Sequence, residues 1–556
     1  MTNSADSADR RGFIGATLGL TLGAIAVDAL AGKTALAASD TSADAADASV
    51  DSAHGGGQPA RQAAYQLRVD VAKQNRDATP ADLAHPTNGD EDRYPNKIGS
   101  FSKGLQHNDN GEVVLPSFNS MVTAMQRKNP ALFEDIQLGG PRKLTNPQSA
   151  LAFELEGGDA RSFVQPPAPA FASAEQAAEI AENYWMALLR DVPYGEYASN
   201  PIAADAARDL TLFGASAKVP KSGGVVTPAL LFRGLTPGDA VGPYTSQFMY
   251  QPIAFGANVI DQQLVTYAGG VDYMTDFPTW LSVQRGAKPG APIAGPKRFI
   301  LNGRDIGRWV HVDILYQAYF QAALYLLGIG APLSPSNPYV TSKTQAGFGT
   351  LGEAHLPGLL GEFAVKAVHG VWYQKWAVHR RLRPEAFAAR VHQTLYTPNH
   401  YPVHPSILNS VSSGSRLGRY LPSGSALLPM AFPEGSPTHP SYGAGHATVA
   451  GACVTLLKAW FDGSFVLPNP KQPSADGTTL VDYTGPALTV EGELNKLASN
   501  IGLGRNIAGV HWRSDATESH KLGEAVAIQL LREIKQALNE KPTFRFNSFA
   551  GTPVVI

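Results

Sequence analysis

Cysteine is nearly missing from this chain of 556 residues. Cys453 stands alone, so neither an intramolecular disulfide nor a cysteine-ligated metal cluster can form within one chain. Its setting, GACVTLLKAW, reads as a buried apolar helix face, where a thiol behaves as a small hydrophobe. Charge is sparse and balanced, with 45 Lys and Arg against 47 Asp and Glu. Bulk electrostatics therefore point to neither nucleic acid nor an anionic membrane, and any functional positive charge must be local. Long apolar runs are also scarce. Val310 to Gly328 comes nearest to a membrane span, but His311, Asp313, Gln317 and Gln321 interrupt it, which favours a buried core helix. Strand alternation is weak, and no internal repeat stands out.

What the chain does have is helical periodicity between Pro- and Gly-rich loops. Ala174 to Leu189, Arg308 to Leu327, Leu359 to Arg381, Ala447 to Phe461, Gly492 to Ile501 and Ser514 to Leu538 are apolar at three- and four-residue spacing. The expected fold class is all-α, built as helical bundles with long loops. Loops between Pro193 and Gly307 carry aromatics and short extended runs that could wall a substrate pocket, as could Tyr316 to Tyr325, although core packing is the commoner role of such a stripe. Arg10, Arg11, Phe13 and Ile14 precede an uncharged stretch to Val27, and Ala35-Leu-Ala37 follows. Residues 1–37 thus resemble a twin-arginine export signal, residues 38–58 an Ala/Ser/Asp/Gly-rich disordered linker, and residues 59–556 a single helical domain. An exported, periplasmic or extracellular protein is expected.

Three segments carry the chemistry. In the first, Lys375 lies about two helical turns before Arg383, and Pro384 disfavours helix at Arg383, which should sit where the helix lets go. A point charge and a planar fork at that separation can close on one oxyanion, although a solvated helix end is the plainer reading of this segment alone. In the second, His439-Pro-Ser441-Tyr-Gly-Ala444-Gly445-His446 leads directly into an apolar helix, whose start offers unpaired N–H groups. A histidine pair there is a weak metal signal, since no neighbouring third ligand completes a zinc site. In the third, Ser514 reads as a helix N-cap, with Asp515 in the first turn and Arg505 and His511 in the preceding Gly-rich loop. Three separated segments, each with a cation or imidazole beside a glycine turn or helix start, make a pocket for a tetrahedral oxyanion.

Lys375-x7-Arg383-Pro, His439-Pro-Ser-x3-Gly445-His446 and Arg505-x5-His511 together resemble the vanadium-dependent haloperoxidases. That family shares its helical fold and anion site with type 2 phosphatidic acid phosphatases and bacterial acid phosphatases. Tyr94-Pro-Asn-Lys-Ile-Gly-Ser-Phe-Ser-Lys103-Gly-Leu also resembles algal-type bromoperoxidases. The resemblance implies that vanadate bonds to His511 and that Lys375, Arg383, Arg505 and the Gly445 N–H hold its oxygens. It makes His446 the acid–base group and His439 a second or halide-side histidine. Hydrogen peroxide would be activated by the Lewis acid with help from Lys375, and halide, chloride or bromide, would be oxidised. One residue departs from the pattern. The family commonly has serine two residues before the acid–base histidine, and here that residue is Ala444.

The resemblance implies a bacterial, meroterpenoid-type chloroperoxidase homologue that halogenates or cyclises an electron-rich aromatic or terpenoid metabolite, with a homodimer as the assembly. Nucleic acid and membrane are not expected as partners. Ala444 raises an alternative on the same fold, a halide- and vanadium-independent α-hydroxyketone isomerase. Phosphoryl chemistry is a third reading, with phosphate or a phosphohistidine at His511 in place of vanadate. A non-catalytic oxyanion-binding protein is the fourth.

Overall fold

The computed structural model describes residues 60–556, so the export-signal and linker readings of residues 1–58 lie outside the described residues. The chain forms two compact units, Met1–Asp70 and Val71–Ile556. Of the first, the described part is the opening of helix Ala60–Ala78, within which Gln66 donates to Asp70 at 2.9 Å. All that follows concerns the second unit.

The second unit is mostly helical, and among the described residues the strands form four two-stranded antiparallel sheets. Eight helices bear on the site: α1 (Ala174–Leu188), α2 (Gly303–Val312), α3 (Gln317–Gly328), α4 (His355–Tyr373), α5 (Pro384–Tyr396), α6 (Gly445–Trp460), α7 (Val490–Ile507) and α8 (Arg513–Ala537). Helix α6 is apolar on every side and packs against α4, α7 and α8. A helix without a polar face belongs at the centre of a bundle, and every residue of α6 except His446 is buried. Cys453 lies within it, and burial pushes its thiol well above the ordinary range, as its sequence setting implied.

Two expected helices are divided. The run Arg308 to Leu327 breaks at Asp313, where the backbone turns extended (φ −61°, ψ 151°) and α3 starts only at Gln317. Of the aromatics in the stripe Tyr316 to Tyr325, Tyr319 and Tyr325 are buried, with Tyr325 edge-on to Phe248, whereas Phe320 is half-buried beside the exposed Phe255 and Tyr316 is exposed. The run Leu359 to Arg381 leaves α-helix at Tyr373, passes through a π-helical turn, Gln374–His379, and stops at Arg380 in the left-handed region (φ 38°). The helix therefore lets go before Arg383, which has extended backbone (ψ 155°) and caps α5 instead. Proline at the first helical position enforces both features.

Helices α6 and α8 cross at glycines. A Cβ added at Gly523 would lie 2.0 Å from the Thr448 carbonyl oxygen and 2.6 Å from the Ala452 nitrogen, and one at Gly451 would lie 2.2 Å from the His520 carbonyl oxygen. Backbone cannot yield to such contacts as a flexible side chain would. Gly523→Ala should cost about 1–3 kcal/mol by overpacking, read as a lower denaturant midpoint. Gly358→Ala, where an added Cβ meets nothing within 4 Å, should leave the midpoint unchanged or raise it.

Candidate active site

Lys375 is fully buried in the π-helical turn, and its Nζ donates to the carbonyls of Pro440 (2.8 Å) and Ser441 (3.0 Å). The wider winding of a π turn, frequent at functional sites, aims this one side chain into the loop before α6. Arg383 enters the same loop from the start of α5. Its Nε donates to the His439 carbonyl at 3.0 Å, its Nη1 to the Val510 carbonyl at 2.7 Å, and its Nη2 to the His439 carbonyl at 2.8 Å. Nη1 also lies 3.0 Å from His511 Nε2, and Nη2 lies 2.9 Å from His439 Nδ1. Every hydrogen bond of these two cations among the described residues goes to a carbonyl or an imidazole, and no carboxylate bonds either of them.

Charge buried in that way is costly, and its titration reflects the cost. Burial, then repulsion from Arg383, pulls the Lys375 ammonium well below the usual lysine range. Burial pulls Arg383 down to about 9, with Asp515 opposing the shift and Arg505 adding to it. Burial first, then the neighbouring Lys375 and Arg383 charges, hold His439 and His511 well below the ordinary imidazole value, so both are neutral at neutral pH.

Arg505 approaches from α7, with Nη1 on the Val310 carbonyl at 2.9 Å and its guanidinium 5.7 Å from the Phe432 ring centroid. Its charge adds to the lowering of Lys375, Arg383 and His511, which places the third cation in the same field. The expectation that Arg505 lies in a loop is thus corrected, because α7 continues through Gly502 and Gly504 to Ile507. Those glycines serve packing. A Cβ at Gly504 would sit 3.2 Å from Val310, while the turn that follows is made at Gly509 (φ 86°).

His511 sits in that turn and is oriented by Asp515 four residues on. Its Nδ1 lies 2.8 Å from Asp515 Oδ2, so Nδ1 carries the proton and the Nε2 lone pair faces the cations. Asp515 also accepts from the Ser441 hydroxyl, from the Trp512 N–H at 3.2 Å and, through Oδ1, from Arg381 Nη1 at 2.8 Å. The expected N-cap at Ser514 is displaced accordingly. Helix α8 starts at Arg513 with Trp512 at the cap position, and the Ser514 hydroxyl accepts from Arg381 at 2.8 Å. Arg381 reaches on to Gln176 (2.7 Å) and Glu179 (2.8 Å) of α1, which fixes the carboxylate behind His511 to a second helix.

His446 is the first residue after Gly445 at the N-terminus of α6, and its Nε2 lies 3.0 Å from Asp313 Oδ1. Asp313 is therefore the physical purpose of the α2–α3 break. Ala444 occupies the α6 cap with no side-chain hydrogen bond, and its own N–H donates to Ser519 Oγ at 2.8 Å. Trp372 joins the pieces. Its ring lies 5.0 Å from that of His439, Lys375 Nζ lies 5.7 Å from its centroid, and a Cβ at Gly445 would be 3.2 Å from it.

All seven residues expected at the site, Lys375, Arg383, His439, Gly445, His446, Arg505 and His511, are thus brought together. The sequence reading gave no role to Trp372, Arg381, Asp313 or Asp515 as partners of that set. Asp515 was detectable at four residues beyond His511, and Asp313 as a charge inside an apolar run. The loops between Pro193 and Gly307 do wall a cavity of about 640 Å³, lined by Tyr194, Tyr197, Tyr244, Tyr250 and Arg233, but none of the seven residues lines it.

Comparison with known proteins agrees with this arrangement. Residues 415–540 match the family model for the second helical-bundle domain of vanadium chloroperoxidase (VCPO). The chain is 36% identical to the vanadium-dependent bromoperoxidase of Corallina pilulifera, over 89% of this chain and 98% of that protein. It is 37% identical to that of Corallina officinalis, over 85% and 92% respectively. A solved structure of the second vanadate-dependent bromoperoxidase from Ascophyllum nodosum, described as homohexameric, superposes with a TM-score of 0.84 at 30% identity, covering 89% of this chain and 90% of that one. On these matches and the helical fold they share, the chain belongs to the vanadium-dependent haloperoxidase family, and it is a haloperoxidase enzyme of that family.

Proposed function

We propose that Lys375, Arg383, Arg505 and the Gly445 N–H hold vanadate, that His511 Nε2 is its protein ligand, and that the enzyme oxidises halide with hydrogen peroxide. The observation that carries this reading is the pair of buried cations, Lys375 and Arg383, bonded only to carbonyls and imidazoles. A pocket of that charge takes an oxyanion readily, and its neutral His511, with Nδ1–H given to Asp515, presents a lone pair. Both the donor set and its charge fit vanadate. When bound, vanadate supplies a Lewis acid that activates hydrogen peroxide toward halide without changing its own oxidation state.

The remaining steps belong to the protein. Lys375 holds its charge beside the anion site from a fixed, water-excluded position, which favours developing negative charge there. With its Nε2–H donated to Asp313, His446 takes up or returns a proton at Nδ1. His439, neutral and bonded through Nδ1 to Arg383, lies against the Trp372 ring, where it suits a halide-side role.

Bromide is the proposed halide, because the curated relatives are bromoperoxidases. The proposed organic acceptor is an electron-rich aromatic or terpenoid, and the proposed assembly is a homo-oligomer, since the Ascophyllum relative is homohexameric. Light scattering would distinguish a hexamer from the dimer that the resemblance implies. Export is proposed on the paired arginines and Ala35-Leu-Ala37 alone.

Ala444 is the one observation that favours a halide-independent isomerase. Vanadium analysis together with a bromide- and peroxide-dependent bromination assay decides between the readings. Stoichiometric vanadium with halide-dependent turnover is expected, and both should disappear in Lys375→Ala and His511→Ala. Turnover of a hydroxyketone without peroxide, or a phosphate adduct on His511 by intact mass, would overturn the assignment.

Two further outcomes test the residues behind the site. Asp515→Asn removes the charge that orients His511, and vanadate affinity should fall about 10–100-fold, measured as the dissociation constant from the apoprotein. Ala444→Ser supplies a hydroxyl at the α6 cap. A hydrogen bond to a charged group contributes about 1.5–3 kcal/mol, so the same titration should show vanadate held at least about tenfold more tightly.

A further inference from the structure

Residues 310–313 make three separate contacts with the site. The Val310 carbonyl accepts from Arg505 Nη1 at 2.9 Å, and Asp313 Oδ1 lies 3.0 Å from His446 Nε2. Between them, the His311 ring stacks on Phe432 with centroids 3.7 Å apart and planes 8° from parallel. Phe432 is the ring faced by the Arg505 guanidinium. One short stretch thus touches a candidate anion-binding cation directly, the acid–base histidine directly, and the aromatic ring against which that cation rests.

This stretch ends a helix, and apolar burial anchors it only as far as Val310, which is fully buried against Gly504. Val312 is 46% exposed and Ile314 is 66% exposed, so neither buries enough surface to fix where the chain leaves α2. His311 is tied at both ring nitrogens instead. Its Nδ1 lies 2.6 Å from the Tyr267 hydroxyl, on strand Leu264–Tyr267, and its Nε2 lies 2.7 Å from Glu434 Oε1. Glu434 is braced in turn, because its carbonyl accepts from Lys103 Nζ at 2.7 Å and from Arg142 Nη1 at 3.1 Å. Burial alone would raise the Glu434 carboxyl, yet the hydrogen bond and charge of His311 hold it down to about 2, so it remains an anion for His311 to grip. Lys103 is also paired with Glu385, two residues beyond Arg383, which joins the brace to the first cationic segment.

We infer that His311 is a positioning residue for the halogenation site: clamped by Tyr267, Glu434 and Phe432, it sets the end of α2 so that Val310 meets Arg505 and Asp313 meets His446. The inference rests on the vanadate reading above for the identity of the anion. It differs from a histidine that merely satisfies itself in the core, because it ties His311 to two functions that can be measured apart. Arg505 reports on anion affinity, and the Asp313–His446 pair reports on turnover.

The test measures binding of orthovanadate and of inorganic phosphate to the apoprotein by calorimetry, and kcat and KM for bromide on the vanadate-loaded enzyme. His311→Ala should weaken both anions about tenfold and lower kcat by about tenfold or more, while KM for bromide moves much less. His311→Gln, whose amide can still bond Glu434, should restore most of both losses. A folded His311→Ala with wild-type anion affinity and kcat overturns the inference, as does one whose only change is a lower Tm. If His311→Ala does not fold, Glu434→Ala releases one side of the clamp, and the same two losses in smaller measure are expected; no change would again overturn it. Wild-type apoprotein that binds neither anion would sink the vanadate reading first, a result distinct from wild-type binding that His311→Ala leaves intact.

Discussion

The constraint on which the rest of the structure depends is like charge confined out of water. Lys375 and Arg383 are buried within one hydrogen-bond network, and the backbone carbonyls of residues 439–441 stand where carboxylates would stand in an ordinary ion pair. Carbonyl dipoles soften the repulsion without cancelling it, so the pocket retains an appetite for an anion. A carboxylate in the same place would have satisfied the cations and closed the site. The carboxylates that are present stand one residue back. Asp515 touches His511 and Asp313 touches His446, so each acts through an imidazole, fixing its tautomer and direction while the cations keep their field.

That arrangement dictates much of the fold around it. A side chain can be held to a loop only if the loop itself is rigid, and residues 439–444 are fixed by Arg383, Lys375, Asp515 and Ser519 from three different helical segments. The close crossing of α6 and α8 at Gly451 and Gly523 brings the Ser519 and Asp515 end of α8 against the N-terminus of α6. A wider crossing would leave the Gly445 N–H and His511 on helices free to slide apart. The irregular backbone lies where it is useful: the π turn carries Lys375 and the extended residue is Asp313, so each break places one side chain at the pocket or on its histidine.

How much of this could be read from the sequence differs between residues for physical reasons. The Arg383-Pro384 pair was legible because proline restricts its predecessor sterically, whatever the surroundings. The seven site residues were legible as spacings within three segments, and Cys453 as a buried hydrophobe. The secondary structure around Arg505 was not, because a glycine that opens a turn and a glycine that admits a neighbouring helix look alike in sequence. Gly502 and Gly504 are of the second kind and Gly509 is of the first. The break at Asp313 was also hidden, since periodicity records only which residues are apolar. The contacts made where α2 ends are tertiary, and the one from Asp313 reaches His446, more than 100 residues away along the chain. The π turn leaves no compositional trace at all.

Ala444 shows how local a departure can be in such a framework. Losing a hydroxyl at a helix cap would ordinarily loosen the first turn, because the cap side chain satisfies one of the unpaired N–H groups there. Here the cap is held from its backbone. The Ala444 N–H donates to Ser519 Oγ at 2.8 Å, and its carbonyl accepts from the Thr448 hydroxyl at 2.8 Å and from the Thr448 N–H at 2.9 Å. The direction of the Gly445 N–H and the placement of His446 are therefore independent of which side chain residue 444 carries. What alanine lacks is a hydroxyl at that cap, and its absence leaves the charge of the pocket and the geometry of its imidazoles as they are. A change of that kind alters how tightly the oxyanion is retained before it alters which oxyanion the site accepts.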